Sequence, residues 1–453
     1  MKNANHRFAC KAVESALLAS GALLLGAGPA HAVPAFAVQT GQACSSCHVG
    51  GFGPQLTQFG REFKMNGYTM RTVGQWDVAP VSMMAVASYI RTQRDQDGPP
   101  APHYSTNDNV AFDEASLFLA GGFGNHFGAF AQVTYDGIGQ TWSWDNVDLR
   151  ATTNATIFGA DTRLGLSFNN SPGITDPWNT LPAWGYPYTD SALAPGPAAA
   201  SLISDALAQN VLGLNAYAWW NSSIYGEFGL YWSPSASFLD SVGVDPADTN
   251  EIDGVTPYVR VAYQKNFGDR NFEVGVFGLF SDLYPGRDHS AGTTDRYRDL
   301  GVDASYQYTD AGGNMFTLNG RYINEHQRLA ASTLLGSAAN RDNTLNELRA
   351  DFSYYSHRGF GASIGAFDSW GSDDSLLYVD SRTFSPNSSG LMLQGDFTPF
   401  GNGGSPFGAR FNTRLGIQYI LYSEFDGASH NYDGAGRDAA DNNTLRIFAW
   451  LAY

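Results

Sequence analysis

Five consecutive residues near the start of the chain combine two thiols with an imidazole: Cys44, Ser45, Ser46, Cys47 and His48. In a C-x-x-C-H arrangement the two thiols add across the vinyl groups of a haem, and the adjacent histidine coordinates the iron. The spacing therefore predicts one covalent haem c, attached through Cys44 and Cys47, with His48 as an axial ligand. The alternative is a disulfide or a thioredoxin-like redox pair, which would need a βαβ context that is not visible here and would leave His48 unexplained.

The second axial position of the iron has only weak candidates in the sequence. Met65 and Met70 follow the motif, and His126 lies in a predicted turn further along the chain. A thioether ligand would raise the reduction potential of the haem. Each methionine has core packing as its alternative role. The distal ligand is therefore left unassigned, with Met65, Met70 and His126 as candidates.

Residues 1–32 have the three parts of a secretory signal peptide. A basic start contains Lys2, Arg7 and Lys11, an apolar stretch follows, and Ala30–Ala32 fits the small-x-small cleavage pattern. Cleavage after residue 32 would leave Cys44 and Cys47 as the mature cysteines. We expect a haem segment at residues 33–80 and a barrel at residues 81–453.

Composition narrows the class of protein. The formal charge of −17 becomes −19 once the three positive groups and one negative group of the signal are removed. Such a chain is a poor nucleic-acid binder, because phosphate contacts need a basic face. No apolar run long enough for a spanning helix occurs outside the signal. If the mature protein spans a membrane, it must do so as a closed barrel, where all strand backbone groups are paired.

From about Ser82 onward, segments of roughly ten residues alternate between apolar and polar side chains, as in transmembrane barrels. Tight turns alternate with long connections. The pattern predicts an all-β fold, an antiparallel, porin-like transmembrane β-barrel of about 16 strands. The expected strands begin near residues 82, 109, 125, 144, 160, 210, 223, 255, 271, 295, 313, 343, 360, 389, 409 and 443.

The end of the chain supports a location in the cell outer membrane. Leu445, Ile447, Ala449 and Leu451 form an apolar face that ends on the aromatic Tyr453. This ending resembles the assembly signal of bacterial outer-membrane barrels. An even strand count would leave both termini on the periplasmic side, with the long loops outside. The longest connection, residues 170–209, is rich in Pro, Ala and Gly, and we expect it to fill part of the lumen.

The predicted haem segment is too short to form a generous core of its own. Its apolar side chains are Phe36, Phe52, Leu56, Phe59 and Phe63. We expect them to gather around the haem. The last three, with Met65, have roughly helical spacing, which predicts a short helix covering one haem face. The segment is expected to pack on or inside the barrel, shielding the haem from water.

Three stretches, Val33–Gly41, Cys44–His48 and Pro54–Tyr68, resemble the monohaem outer-membrane cytochrome–porin fusions of iron-oxidising bacteria. Val38 and Gln58 stand where a basic residue and a proline are expected. The resemblance implies a single c-type haem leading into a sixteen-stranded porin-like barrel. It also implies electron transfer from extracellular Fe(II) to a periplasmic cytochrome or other carrier.

The expected function is therefore oxidation of an extracellular electron donor, with Fe(II) as the leading candidate. Acidic predicted loops at residues 236–254, 372–388 and 424–442 would concentrate Fe(II), since carboxylates suit hard cations. Ordinary solvated loops, or divalent-ion bridges to lipopolysaccharide, are the alternative. Two rival functions remain: a solute-conducting porin with a structural or sensory haem, and electron export to an extracellular acceptor.

Overall fold

The computed structural model describes residues 35–72, 81–181, 185–408 and 410–453, except the side chain of Asp205. The predicted signal peptide at residues 1–32 and its cleavage site lie outside the described residues. So does the predicted boundary near residue 80.

Sixteen long strands form one antiparallel sheet in the described part of the chain. Their positions confirm the sequence prediction closely; the largest differences are at β4 and β15, which begin at Thr141 and Asn412 instead of 144 and 409. The strands are β1 Val81–Thr92, β2 Asn109–Phe123, β3 Phe127–Asp136, β4 Thr141–Ile157, β5 Ala160–Asn169, β6 Leu212–Trp220, β7 Ile224–Trp232, β8 Thr256–Phe267, β9 Arg270–Tyr284, β10 Asp295–Thr309, β11 Met315–Arg328, β12 Asp342–Tyr355, β13 Phe360–Gly371, β14 Ser388–Phe397, β15 Asn412–Glu424 and β16 Thr444–Ala452.

The sheet closes on itself. Each long strand pairs with the next along the chain, and β1 pairs with β16 from Met84 opposite Ala452 to Thr92 opposite Thr444. A two-residue strand, Glu251–Ile252, adds to the edge of β9. Closure leaves no open sheet edge, so every spanning strand has backbone partners on both sides. The result is a closed, porin-like β-barrel.

The two faces of the strands are inverted relative to a soluble protein. Val274 and Val276 of β9 point outward and are 43% and 52% exposed, whereas the inward Glu273 is fully buried. Leu300 and Val302 of β10 repeat the pattern. An apolar outer band around a polar interior is the design of an outer-membrane-type barrel.

Short helical elements lie before the barrel and in its connections. The α-helices are α1 Ala35–Thr40, α2 Cys44–Cys47, α3 Gln58–Met65, α4 Ala236–Ser241 and α5 Ala330–Leu335. The 3₁₀ turns are Val49–Gly51, Pro172–Thr175, Pro246–Asp248, Pro285–Arg287 and Ala439–Asn442, and a π turn spans Leu202–Ala206. No helix in the described ranges has the length and apolar character needed to cross a bilayer.

The described residues of the long connection, 170–181 and 185–209, fold into the barrel, and we call them the lumen strap. Near the start of the strap, the indole of Trp178 donates to Oε1 of Gln264 on β8 at 2.8 Å. Near its end, the backbone N–H of Ile203 donates to Asp299 on β10 at 2.7 Å. Both Trp178 and Ile203 are buried. The expected filling of the lumen by this connection is therefore confirmed.

Asp176 is the main anchor of the strap. Its carboxylate accepts backbone hydrogen bonds from Trp178 at 3.0 Å, Thr180 at 2.9 Å and Leu181 at 3.1 Å. It also faces the guanidinium of Arg260 at 3.4 Å, and both side chains are fully buried. Arg260 is shared with other inward carboxylates, so the strap belongs to the charge network of the inner wall.

We predict that Asp176→Ala loosens the strap. Removing one partner of a buried ion pair costs about 3 kcal/mol, because the remaining charge loses compensation. The folded barrel should unfold at a lower temperature on a gel, and its single-channel conductance in a planar bilayer should rise. Asp190→Ala, which removes an exposed carboxylate from the same strap, is the matched control. Unchanged conductance in Asp176→Ala would contradict an anchoring role.

Candidate functional site

The C-x-x-C-H residues form the one-turn helix α2 followed by an extended residue. The backbone N–H of His48 donates to the carbonyl of Cys44 at 2.8 Å, which closes the turn. After this turn the chain folds back on itself, and the backbone N–H of Val49 donates to the carbonyl of Gln55 at 2.9 Å. This turn places the two thiols three residues apart in a helix, where side chains share a face.

Thr57 fixes the motif to α3, a role that the sequence analysis missed. The backbone N–H of Thr57 donates to the carbonyl of Cys47 at 2.9 Å. The hydroxyl of Thr57 donates to the carbonyl of Ser46 at 2.5 Å. The same hydroxyl caps α3 by accepting from the N–H of Gly60 at 3.2 Å. Threonine is a preferred residue at the N-cap of a helix, so the capping role could be predicted from the sequence. The hydrogen bonds from Thr57 to Ser46 and Cys47, in contrast, depend on the tertiary structure.

The described residues 35–72 of the N-terminal segment contact inward side chains of the barrel wall. Arg61 of α3 donates to Asn271 on β9 at 2.7 Å and to Gln307 on β10 at 3.1 Å. Tyr68 donates to Asp148 on β4 at 2.5 Å. Of the two expected placements, on or inside the barrel, these contacts favour the second for residues 35–72.

Cys44, Cys47 and His48 border one cavity of about 1310 Å³, including space open to solvent. Its lining is mostly apolar and comes from the N-terminal segment, the strap and the barrel wall. The segment contributes Phe36, Ala37, Ala43, Gly51, Phe52, Gly53, Pro54, Leu56, Gly60, Phe63, Lys64 and Tyr68, with Ile174 and Asn179 from the strap. The barrel wall contributes Met83, Met84, Phe118, Phe130, Gln132, Asn412, Trp450 and Ala452.

The protonation states of the motif suit thioether formation and iron ligation. Burial lowers the pKa of His48 to about 4, so its imidazole is neutral and able to donate a lone pair. The Nδ1 atom of His48 is buried without a hydrogen-bond partner among the described residues. Burial also raises the pKa of Cys44, and that of Cys47 to about 12, so both side chains are thiols. A covalent haem fits an apolar cavity bordered by two thiols and one neutral imidazole.

Most of the apolar residues expected around the haem line this cavity, but Phe59 does not. Phe36, Phe52, Leu56 and Phe63 do. The predicted helix exists as α3, yet its cavity face is Gly60, Phe63 and Lys64, and Phe59 borders an open groove beside Asn271. The face is set by close packing: a Cβ on Gly60 would lie 2.2 Å from the carbonyl oxygen of Cys47.

None of the three distal-ligand candidates lines the cavity. Met65 is buried in a separate cluster with Trp178 and Tyr225. Met70 is partly exposed, and its carbonyl accepts a hydrogen bond from Gln39 at 2.8 Å. His126 is exposed in the turn after β2, with Nδ1 2.8 Å from the carbonyl of Thr152.

Several acidic loop residues have structural partners. Asp433 accepts backbone hydrogen bonds from Ala435 and Arg437 at 2.8 and 3.0 Å. Asp374 is buried, and burial alone would raise the pKa of its carboxyl group. Hydrogen bonds from backbone N–H groups, including those of Ala339 and Asn340, outweigh this effect and lower the pKa of Asp374 to about 2. Within the described ranges, no three His, Cys, Asp or Glu side chains are grouped to hold a metal ion.

Comparison with known proteins adds no family. No family model matches the sequence, and no curated protein matches it. Among solved structures, the chain is similar to OprB of Pseudomonas putida (12% identity, 82% of this chain and 94% of that one, TM-score 0.49). It is also similar to the outer-membrane channel DcaP of Acinetobacter baumannii (10%, 82% and 96%, 0.47) and to an anion-selective porin from Comamonas acidovorans (10%, 82% and 99%, 0.44). The class assigned to the chain, an outer-membrane-type barrel, rests on its own strand order and inverted faces.

We predict that Gly60→Ala lowers covalent haem incorporation, because the added methyl group collides with the backbone of Cys47. The readout is haem absorbance per mole of folded barrel. Gly98→Ala is the control, since a Cβ there meets nothing within 4 Å. Equal haem content in both variants would show that the junction between α2 and α3 does not shape the site.

The loop around Asp374 should be acid-sensitive. Its pKa is depressed in the folded protein, from 3.8 to about 2, so the stabilisation is present above pH 3.8 and is lost as pH falls towards 2. Pepsin cleavage at residues 376–378 should therefore increase between pH 4 and pH 2. Asp374→Ala should already be cut at pH 4, whereas the exposed neighbour variant Asp373→Ala should behave like wild type. Equal resistance of wild type at both pH values would contradict this role.

Proposed function

We propose that this protein is an outer-membrane electron-transfer protein with one covalent haem c, held by Cys44, Cys47 and His48. It accepts electrons from an extracellular donor, with Fe(II) as the leading candidate, and passes them to a periplasmic cytochrome or another carrier. The observation that carries the proposal is the apolar cavity inside the barrel, bordered by both thiols and the imidazole.

The haem would supply a one-electron ferric–ferrous couple, and no substrate bond would break. The residues of the chain hold the haem and shield it from water. Phe52 packs edge-on against Trp450 at 4.9 Å between ring centroids, and Phe36 packs against Phe63 at 4.8 Å. These contacts surround the site with apolar side chains, and such an environment is one of the protein's means of tuning a haem.

The position of the cavity supports delivery to the periplasm. Its wall residues include Met84 near the start of β1, Phe118 near the end of β2 and Trp450 near the end of β16. All three lie at the end of the barrel that carries the short turns. The first strand begins at this end, and the last strand ends there. In outer-membrane barrels the short turns are periplasmic. A periplasmic carrier can therefore approach close to the proposed haem.

The rest of the barrel separates the two faces of the membrane. The apolar band of such barrels is about 25 Å tall, and the lumen strap fills part of the interior above the cavity. Strap residues such as Trp178 and Ile203 are buried in this interior, which opposes a wide open channel. The formal charge of −17 attracts cations such as Fe(II) to the surface in general.

A solute-conducting porin with a structural or sensory haem is the second candidate. The closed porin-like barrel favours it, whereas the packed strap and the N-terminal segment inside the lumen oppose it. Electron export to an extracellular acceptor uses the same structure in the reverse direction. Conductance separates the porin from the electron carrier, and the direction of transfer separates the two electron carriers.

We predict rapid reduction of the oxidised haem protein by Fe(II). The full chain is matured with haem, purified in detergent and mixed with Fe(II) under anaerobic conditions while haem absorbance is followed. The double variant Cys44→Ser/Cys47→Ser should contain no covalent haem, because it cannot form thioethers. Reduction by dithionite but not by Fe(II) would contradict Fe(II) as donor. High conductance with no reduction would favour the porin.

A further inference from the structure

One wall of the cavity carries a sulfur atom that the sequence analysis did not select. Met84 lies near the start of β1 on its inward face, between the buried Ser82 and Val86, and it lines the same cavity as His48. Haem iron with one histidine ligand accepts a thioether at its other axial position. The cavity thus holds both members of a His/Met pair on separate elements, one on the inserted segment and one on the barrel.

The surroundings hold this side chain in place. Met84 packs against a cluster formed by Phe52, Val86, Phe448 and Trp450. The indole Nε1 of Trp450 donates to the sulfur of Met84 at 3.2 Å. A thioether sulfur has two lone pairs, so one remains for a metal when the other accepts this hydrogen bond.

Three other polar side chains of the lining donate hydrogen bonds to the protein itself. Lys64 Nζ donates to the carbonyls of Ile174 at 2.5 Å and Asp176 at 2.9 Å. The Tyr68 hydroxyl donates to Asp148, and Gln132 Nε2 donates to the hydroxyl of Ser116 at 3.0 Å.

The neighbouring methionine is excluded by its direction. Met83 also borders the cavity, but it is 47% exposed and occupies an outward position on β1. Because successive side chains of a strand point to opposite faces, Met83 and Met84 cannot both face the lumen. Met84 is the methionine of the described chain that combines an inward position with a place in this lining.

We propose that Met84 is the distal axial ligand of the haem iron, with His48 as the other axial ligand. This proposal rests on the haem site of the proposed function. The ligand would tie the first barrel strand to the inserted segment through the metal. It would also raise the reduction potential relative to a second histidine.

Three matched variants test the assignment in the full, haem-loaded chain: Met84→Leu, Met83→Leu and Met65→Leu. Covalent haem is first measured by mass and absorbance after denaturation. Oxidised wild type should show the long-wavelength sulfur-to-iron charge-transfer band. Met84→Leu should lose the band, and its ferrous form should bind CO. Met83→Leu and Met65→Leu should keep the band and exclude CO.

A gain-of-ligand variant keeps the test independent of folding. Met84→His should remain closed to CO, lack the sulfur band and show a lower reduction potential in a redox titration. Persistence of the band in Met84→Leu, its loss in Met65→Leu, or its absence from wild type would overturn the assignment while leaving the haem site intact. Absence of covalent haem from wild type would instead refute the proposed function itself.

Discussion

Lipid contact on the outside of the barrel is the constraint on which the rest of the structure depends. Apolar side chains must face outward, so the polar half of every strand points into the lumen. There, buried charges such as Arg260, Asp303 and Glu273 need partners, because an unpaired charge in a low-dielectric interior is costly. The inner wall is therefore dense in hydrogen-bond donors and acceptors, and these can bind segments of the chain that enter the lumen.

Two parts of the chain use that wall. The lumen strap gives backbone N–H groups and Asp176 to the wall. The N-terminal segment gives Arg61 and Tyr68 to the wall and Lys64 to the strap. Together they fill part of the lumen and border an apolar cavity at the end of the barrel that carries the short turns. The location of this cavity beside the C-x-x-C-H turn is the observation that supports the proposed redox function.

Much of this organisation could be predicted from the sequence. Strand positions followed from the period of two, because lipid and lumen impose opposite demands on alternate residues. The helix α3 followed from apolar spacing, although its cavity face did not: Phe59 was expected there, but Gly60 is closer because only glycine allows contact with Cys47. The distal candidates Met65 and Met70 were chosen for closeness in sequence. Met84 becomes visible only once β1 is placed against the segment.

The most direct test of the account is the intact mass of the mature protein, purified from cells that attach haem to exported cytochromes. The account predicts a mass higher than the polypeptide by one haem, with the addition carried by the peptide that contains Cys44 and Cys47. A mass equal to the unmodified polypeptide, or lower by two hydrogens as for a disulfide, would contradict the central claim.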